Sequence, residues 1–524
     1  MQINHFLENA AQKYPDKEAV WHKDRGMTYA EIDALSNKVA NYLKERNIRR
    51  GDRVAILYEN SFDYVIAYFA VLKAGAVEVS LNTETTVDTL TYALNDTGAK
   101  AVITSKKHSC HLVPALRKSP EVREVIVEQK DLSAYEEIGH CDQIRLGEIY
   151  DSGDASPSGI RGIDVDLASI TYTTGSTNTP KGVVHTHLNV VSNTRSIVEY
   201  LALTDRDRML VILPFFYIYG KSLLTTHFYV GGSLVIENRF VFPEVVLYAM
   251  KDMEVTGFAG VPSTFLILLN RSRVREYTFE DLRYVTQAGG SMAPSVQKKV
   301  AEIFAPARLF IMYGATEAAP RLSYLDPDVL PSKWGSIGKA ISNVDLFVAD
   351  ENGNPQPPDC EGQIVARGSN LMVGYWNDPI ETAKVLRDGL YFTGDIGKMD
   401  DEGYLYVVGR SKDIIKAGGF RISAKEVEDA LLEIDEIHEA VVVGVDDPIL
   451  GEAIKAFIVL RDHAELTEPK LKQALKRLLP AYKQPTYIEF IDSIPKGKSG
   501  KILKMELKKQ YCAHREVTDD QRAD

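Results

Sequence analysis

Hydroxyl side chains and glycines are concentrated in residues 173–182, a segment that ends in Pro180, Lys181 and Gly182. It follows residues 168–172, a run that predicts a strand. Small residues let backbone N–H groups approach phosphate oxygens, hydroxyls donate further hydrogen bonds, and Lys181 supplies positive charge. The spacing is not that of the Walker A phosphate loop. Taken alone, the segment therefore leaves a phosphate-binding loop and an ordinary loop as alternatives.

A tyrosine and a glutamate stand close together in residues 313–317, after another run that predicts a strand, 308–312. The ring of Tyr313 could stack on a base, and the carboxylate of Glu317 could hold the magnesium that accompanies ATP. The alternative is a strand end followed by a capped helix start.

Two further charged groups could take part in the same chemistry. Asp395 ends the segment 391–395, and a carboxylate at a strand end can accept hydrogen bonds from both hydroxyls of a ribose. Lys501 lies in the lysine-rich segment 495–501, and a mobile lysine can neutralise negative charge that forms between a carboxylate and a phosphate. An ordinary turn and a solvated basic tail are the respective alternatives.

The elements that must position these groups suggest more than one domain, since 524 residues exceed what one hydrophobic core holds. Capping boxes at 28–31 and 423–426 predict two helix starts. Helix and strand patterns alternate to about residue 340 and predict layered α/β architecture. Residues 341–410 predict a small sheet or barrel. A compact α+β unit follows, so we place the domains at 1–411 and 412–524, with a hinge at the boundary.

Composition narrows the class of protein. A net charge of −12 argues against a general nucleic-acid binder, which should carry a basic face. The four cysteines lack zinc-site spacing, which favours reduced thiols. The longest apolar stretch, residues 64–72, is too short for a membrane span and predicts a buried helix. We therefore expect a cytoplasmic protein.

Together and in this order, these segments resemble the adenylate-forming superfamily of acyl-CoA synthetases, amino-acid adenylation domains and firefly luciferase. The resemblance covers residues 6–508 and includes further matches at 335–338, 367–368, 374–376 and 409–413. It implies a large N-terminal domain of two helix-flanked sheets plus a distorted β-barrel, capped by a small mobile α+β C-terminal domain.

The resemblance also implies an ATP site between the two domains. The residues expected around the pyrophosphate are Thr173, Thr174, Gly175, Ser176, Thr177 and Lys181. Those expected around the adenine are Tyr313, Gly314, Gly289, Gly290 and Ser291. Thr316 would contact the α-phosphate, Glu317 would position Mg²⁺, and Asp395 with Arg410 would hold the ribose.

A second half-reaction with a thiol is implied by the C-terminal residues. Lys501 matches the adenylation lysine of the family, and Lys412 matches its hinge residue. Rotation about the hinge would bring Gly418 and Gly419 beside the pantetheine arm of coenzyme A. Lys416 and Arg421 could touch nucleotide or thiol donor, and Arg239 could contact a coenzyme A phosphate. Plain surface charge is the alternative for these last three residues.

The acid is expected to lie beside Tyr217, which stands where many acyl-CoA synthetases carry His and amino-acid adenylation domains carry Asp. Tyr217 cannot pair with an α-amino group, so an α-amino acid is disfavoured. The other residues expected to line the acid pocket are Tyr219, Gly220, Val261 and Gln287. Aromatic lining fits a small aryl acid or a short to medium acyl chain, although core packing would need the same residue types.

The leading hypothesis is an acid–thiol ligase that uses ATP, Mg²⁺ and coenzyme A. A free-standing adenylation enzyme that loads a carrier-protein phosphopantetheine, an oxygen-dependent luciferase and a catalytically silent homologue are the alternatives. Neither the acid nor the thiol acceptor follows from the sequence, and a homodimer stays open.

Overall fold

The computed structural model describes residues 1–128, 132, 135, 138–173, 180–410, 413–417, 420–447, 451–461, 463–496, 502–504 and 506–508, and only the backbone at 421 and 451. The two largest sheets lie within the first 375 residues. One has eight strands, which pair in parallel except where residues 181–186 meet their two neighbouring strands. In spatial order they are β19 (Gly374–Tyr375), β9 (Lys181–Thr186), β8 (Leu167–Thr173), β4 (Val77–Ser80), β3 (Arg53–Leu57), β5 (Ala101–Thr104), β6 (Glu124–Val127) and β7 (Asp142–Arg145).

The other large sheet has nine strands, parallel at its centre and antiparallel at both ends. Its spatial order is β16 (Lys339–Ala340), β15 (Arg321–Leu325), β14 (Arg308–Gly314), β13 (Tyr284–Gln287), β12 (Gly257–Gly260), β10 (Arg208–Val211), β11 (Ser233–Ile236), β1 (Glu18–His22) and β2 (Arg25–Thr28). The carboxyl ends of the central parallel strands meet at one edge, which is where ligands bind in such sheets.

Helices pack on these sheets and form three hydrophobic clusters with them. They are α1 (Asn4–Lys13), α2 (Tyr29–Glu45), α3 (Phe62–Lys73), α4 (Val87–Thr97), α5 (Ser109–Leu116), α6 (Leu146–Ser152), α7 (His187–Leu201), α8 (Ile218–Val230), α9 (Pro243–Asp252), α10 (Pro262–Arg271) and α11 (Pro294–Ile303). The predicted buried helix is α3, whose residues from Tyr64 onward are all buried. α2 begins at the predicted capping box, in which Thr28 accepts from the Glu31 N–H and Glu31 accepts from the Thr28 N–H.

The small sheet or barrel predicted for residues 341–410 is an antiparallel sheet. Its strands are β17 (Val344–Ala349), β18 (Gly362–Gly368), β20 (Leu386–Arg387), β21 (Leu390–Met399) and β22 (Leu405–Arg410), and α12 (Pro379–Val385) precedes β20. The long strand β21 is central, because it pairs with β18, β20 and β22.

A separate five-stranded sheet forms the C-terminal unit. It contains β23 (Ile414–Ala417), β24 (Phe420–Ser423), β25 (Ile437–Asp447), β26 (Gly451–Leu460) and β27 (Tyr487–Phe490), packed on α13 (Ala424–Leu431) and α14 (Glu468–Leu478). Ser423 caps α13, but the Glu426 carboxylate binds Lys483 at 2.6 Å, so the full capping box expected there is not formed. Ser295 and Lys299 contact this unit from α11.

The predicted fold class is confirmed: a large α/β N-terminal domain of two helix-flanked sheets and a smaller sheet, followed by an α+β C-terminal domain. The expected boundary, 411–412, lies outside the described residues and stays a prediction. Within the part of the chain that the structure describes, no helix has the length and apolar character needed to cross a membrane.

Candidate active site

Three residues of the expected nucleotide site form one hydrogen-bonded cluster. Tyr313 is the second-last residue of β14, Asp395 lies in β21, and Arg410 ends β22 directly opposite Asp395 in the ladder. The Tyr313 hydroxyl donates to Asp395 Oδ2 at 2.5 Å, and Arg410 Nε lies 3.1 Å from Asp395 Oδ1. Both carboxylate oxygens are therefore held, and the strands fix where the carboxylate points.

Burial, together with the neighbouring Asp395 carboxylate, raises the pKa of Tyr313 well above its usual value. Tyr313 thus stays protonated and remains a hydrogen-bond donor across the physiological range. A buried carboxylate with an anchored donor and an adjacent guanidinium can accept hydrogen bonds from a vicinal diol, which is the chemistry expected for ribose.

Lys181 and Glu317, which the sequence separates by more than one hundred residues, are linked through Tyr375. Lys181 Nζ pairs with the Glu381 carboxylate of α12 at 2.5 Å and lies 5.1 Å from the centre of the Tyr375 ring. The Tyr375 hydroxyl donates to Glu317 Oε1 at 2.7 Å. The ammonium of Lys181 lowers the pKa of Glu381 to about 2, with Lys384 assisting. An incoming phosphate would compete with Glu381 for Lys181.

Magnesium would have one protein carboxylate here rather than a cage. The described residues contain no cluster of three His, Cys, Asp or Glu side chains suited to a metal. Glu317 is half-buried on the short helical turn Thr316–Ala318, directly after Tyr313 and Gly314. A single carboxylate plus nucleotide phosphates and water is the donor set that Mg²⁺ commonly takes, so the residues fit the ion.

Gly314 and Gly289 both stand where a side chain would intrude. A Cβ on Gly314 would lie 1.9 Å from the Pro320 carbonyl oxygen, which forces glycine where β14 meets β15. Gly289 has φ +84°, and a Cβ there would lie 3.0 Å from Val261 Cγ1 and 3.4 Å from Tyr217 Oη. Gly290 and Ser291 are exposed beside it.

The expected acid-pocket residues therefore meet the expected adenine wall at Gly289. Tyr217 stands at the N-terminus of α8, and Gln287 ends β13 and donates to the Gly290 carbonyl at 2.8 Å. Gly220 packs against the backbone of α8's own entry loop, since its Cβ would lie 2.1 Å from the Pro214 carbonyl oxygen. Close packing alone accounts for the glycine at 220.

Two buried cations that the sequence motifs did not reveal lie beside this pocket. Lys221, in the first turn of α8, pairs with Glu78 at 2.6 Å and with the Ser80 hydroxyl. Arg321, the first residue of β15, is only 2% exposed, and no described carboxylate lies within ion-pairing distance of it. The sequence signal for Arg321 is an arginine inside the small and apolar run 318–322.

Several expected site residues lie outside the described residues: Thr174, Gly175, Ser176, Thr177, Lys412, Gly418, Gly419, Lys501 and the side chain of Arg421. Of the flanking positions, Thr173 pairs with Lys181 across the β8–β9 ladder. Lys416 in β23 is exposed and lies opposite Arg421 in β24. Arg239 is bound by the carboxylate of Glu237, with Nη2 at 2.7 Å from Oε2, and is not at the cluster around Asp395.

Comparison with known proteins matches residues 7–376 to the family described as AMP-binding enzyme and residues 426–501 to the family described as AMP-binding enzyme C-terminal domain. Feruloyl-CoA synthase from Amycolatopsis sp is 34% identical over 502 residues, which cover 96% of this chain and 97% of that protein. The long-chain-fatty-acid–CoA ligase of Bacillus subtilis (strain 168) is 31% identical over 527 residues, or 96% of this chain and 94% of that protein.

Among solved structures, o-succinylbenzoate CoA synthetase from Bacillus subtilis, in complex with the acyl-adenylate intermediate OSB-AMP, gives a TM-score of 0.82 at 29% identity and covers 96% of this chain and 97% of that chain. The same enzyme in complex with ATP and magnesium ion gives 0.82 at 28% identity, with 96% and 99% covered.

Proposed function

The chain belongs to the AMP-binding enzyme family and is an AMP-forming acid–thiol ligase, and from this premise we propose that it adenylates a small aryl or short to medium acyl acid and passes the acyl group to coenzyme A. The curated relatives of 34% and 31% identity are CoA ligases that act on different acids. Their names support coenzyme A as the acceptor. Because they act on different acids, the identity of the acid depends on the pocket of this chain.

The first half-reaction joins the acid to AMP. A carboxylate oxygen attacks the α-phosphorus of ATP, the bond to pyrophosphate breaks, and pyrophosphate leaves with the electron pair. Asp395 and Arg410 would hold the ribose, and Tyr313, Gly290 and Ser291 would flank the adenine. Thr173, residues 174–177 and Lys181 would bind the departing pyrophosphate. Bound magnesium would supply positive charge against the phosphates beside Glu317.

Both reactants are anions, so the approach of the carboxylate needs positive charge at the point of attack. Lys501 is the residue we assign to this task, as a mobile group on the C-terminal domain. Thr316 would contact the α-phosphate. In the second half-reaction the coenzyme A thiol attacks the acyl carbon, loses its proton and displaces AMP. Rotation about Lys412 would bring Gly418 and Gly419 to the thiol path, with Lys416 and Arg421 near the donor.

The observation that supports this proposal most is the position of Gly289. One residue of the expected adenine wall stands within van der Waals reach of Val261 and Tyr217, both expected to line the acid pocket. A carboxyl group held beside Tyr217 would therefore be close to the nucleotide rather than in a separate cavity.

A panel of carboxylic acids tests the proposal. Purified protein with ATP and Mg²⁺ should release pyrophosphate and AMP in an acid-dependent manner, and coenzyme A should convert the acyl-adenylate to thioester. Lys501→Ala should reduce acid-dependent ATP–pyrophosphate exchange by about 100–1000-fold. It should still form thioester from supplied acyl-adenylate. Release of ADP and phosphate in place of AMP and pyrophosphate would refute the proposal, and thioester formed only on a carrier protein would move the acceptor away from coenzyme A.

A further inference from the structure

We propose that this enzyme selects acids that carry a second anionic group, of the dicarboxylate type, and that Arg321 binds that second group. The inference rests on the proposed function and names the substrate class of its acid pocket.

The burial of Arg321 is the first observation. Its side chain belongs to a residue 2% exposed, its Nε has no hydrogen-bond partner, and no carboxylate of the described chain lies within 4 Å of its guanidinium. Arginine is almost never fully buried unless it is paired, because the desolvated charge is costly. The protein therefore holds a buried cation whose anion must come from elsewhere.

The surroundings of Arg321 place it on the acid side of the site. Its guanidinium lies 5.0 Å from the centre of the Tyr219 ring, and a hydrogen bond of 2.8 Å between the Tyr219 hydroxyl and Thr286 Oγ1 fixes the ring. The positive charge of Arg321 also acts on the hydroxyl of Tyr217, as does the charge of Arg410. Tyr217 thus lies in the field of both cations.

The backbone of Arg321 is rigidly held. Asn193 donates to its carbonyl oxygen at 2.8 Å and accepts from its N–H at 3.2 Å, while Asn370 donates to the same carbonyl at 2.8 Å. Arg321 also stands opposite Gly314 in the β14–β15 ladder. A guanidinium on such a fixed strand is preorganised, which lets it discriminate between ligands rather than adapt to them.

Lys221 shows what a structural cation looks like in the same region. It has a carboxylate, Glu78, and a hydroxyl, Ser80, both buried with it. Tyr200 is a hydrogen-bonding neighbour of Arg321. Burial raises the pKa of Tyr200 to about 12, and the charge and hydrogen bond of Arg321 act against that rise. A neutral phenol does not balance a guanidinium, so the open partner of Arg321 has the chemistry of a carboxylate.

The test uses matched acids that differ in one charge. Dicarboxylates of three to six carbons and benzenedicarboxylates are compared with their monomethyl esters, which keep one carboxyl group and replace the other by a neutral ester. The wild-type enzyme should use its best dicarboxylate about 10–100-fold better in kcat/KM than the monoester, because a charge-assisted bidentate contact is lost. Acid-dependent pyrophosphate release is the assay.

Arg321→Met should reverse this preference, with a loss for the dicarboxylate and an equal or higher rate for the monoester. Arg308→Met is the matched control, since Arg308 is an exposed arginine of the neighbouring strand paired with Asp326 and Asp328. It should leave the preference unchanged. If Arg321→Met does not fold, equilibrium binding of each acid to the wild-type enzyme with AMP gives the same comparison.

The outcomes separate the two proposals. Equal use of dicarboxylates and monoesters by the wild type, or an equal loss for both in Arg321→Met, overturns this inference while the ligase activity stands. Absence of pyrophosphate release with every acid overturns the proposed function instead.

Discussion

The first turn of α8 and the start of β15 each bury a cation, and the two differ in how the charge is satisfied. Lys221 in α8 is closed off by Glu78 and Ser80, which the chain supplies from β4. Arg321 in β15 receives an aromatic face and a phenol but no described carboxylate. The chain can evidently neutralise a buried cation where the fold requires it. The difference identifies Lys221 as part of the fold and Arg321 as part of the site.

The largest expected effect is on stability at the paired cation. Lys221→Met should lower the free energy of unfolding by about 3–5 kcal/mol, because Glu78 is left buried and unpaired. Arg321→Met leaves no carboxylate behind and should not cost this amount. Urea unfolding of both variants measures the contrast. The double variant Lys221→Met with Glu78→Leu should recover most of the loss, and equal destabilisation by the two single variants would erase the comparison.

Asp395, a carboxylate that is paired with Arg410 and that we propose binds the ribose, provides the next test. Asp395→Asn should reduce kcat/KM for ATP on the order of 100-fold, since Arg410 and Tyr313 lose their shared partner. Because we propose that this site binds the nucleotide and not the acid, the factor should be the same for every acid. Asp345→Asn is the control: Asp345 is an exposed carboxylate of the same small sheet, paired with Arg367. A factor that varied with the acid would mean that the nucleotide and acid sites are not separable.

The surroundings of the buried Lys221 can also be tested through the pH dependence of stability, because the charge of Lys221 acts on the neighbouring His185. Burial, with the charge of Lys221 assisting, lowers the pKa of His185 to about 3. Between about pH 6.5 and pH 3, His185 binds a proton in the unfolded chain but not in the folded one. The free energy of unfolding therefore falls as the pH falls. The contribution is about 1.4 kcal/mol for each pH unit.

His185→Gln removes this titration and should flatten the dependence of unfolding free energy on pH between 6.5 and 4.5. The baseline comes from pH 7.5 to 8.5, where the histidine is neutral in both states. An unchanged slope would show that His185 is not buried as a neutral group.

The smallest expected effect lies where the acid and nucleotide sites meet. Gly289→Ala places a methyl group 3.0 Å from Val261 and 3.4 Å from Tyr217, at a backbone angle that favours glycine. The kcat/KM for the bulkiest accepted acid should fall by about 10-fold relative to the smallest one. Gly403→Ala has a similar backbone angle far from these side chains and corrects for strain. A uniform loss for all acids would place Gly289 outside the acid pocket.

Local patterns in the sequence predicted much of the fold. The capping box of α2, the buried helix α3 and the strands before residues 173 and 313 lie where composition and periodicity placed them. Each of these depends on residues a few positions apart, so one chain suffices to predict it.

The polar contacts that the sequence did not predict, in the fold and at the candidate site, join distant residues. Lys221 and Glu78 are 143 positions apart, and Tyr375 and Glu317 are 58 apart. Which strands become neighbours decides these pairs, and strand order is not written in any local pattern. Arg321 was missed for the same reason, since its isolation becomes visible only once every possible partner has a position.

The pairing of β14 with β15 has a consequence for how such enzymes diversify. Tyr313 and Gly314 lie on one strand, and Arg321 lies opposite Gly314 on the next. Substitution of one residue of the second strand could therefore change which acids the enzyme accepts, while the residues of the first strand proposed to bind the nucleotide stay the same. Protein engineers who wish to retarget the enzyme have the same shortcut.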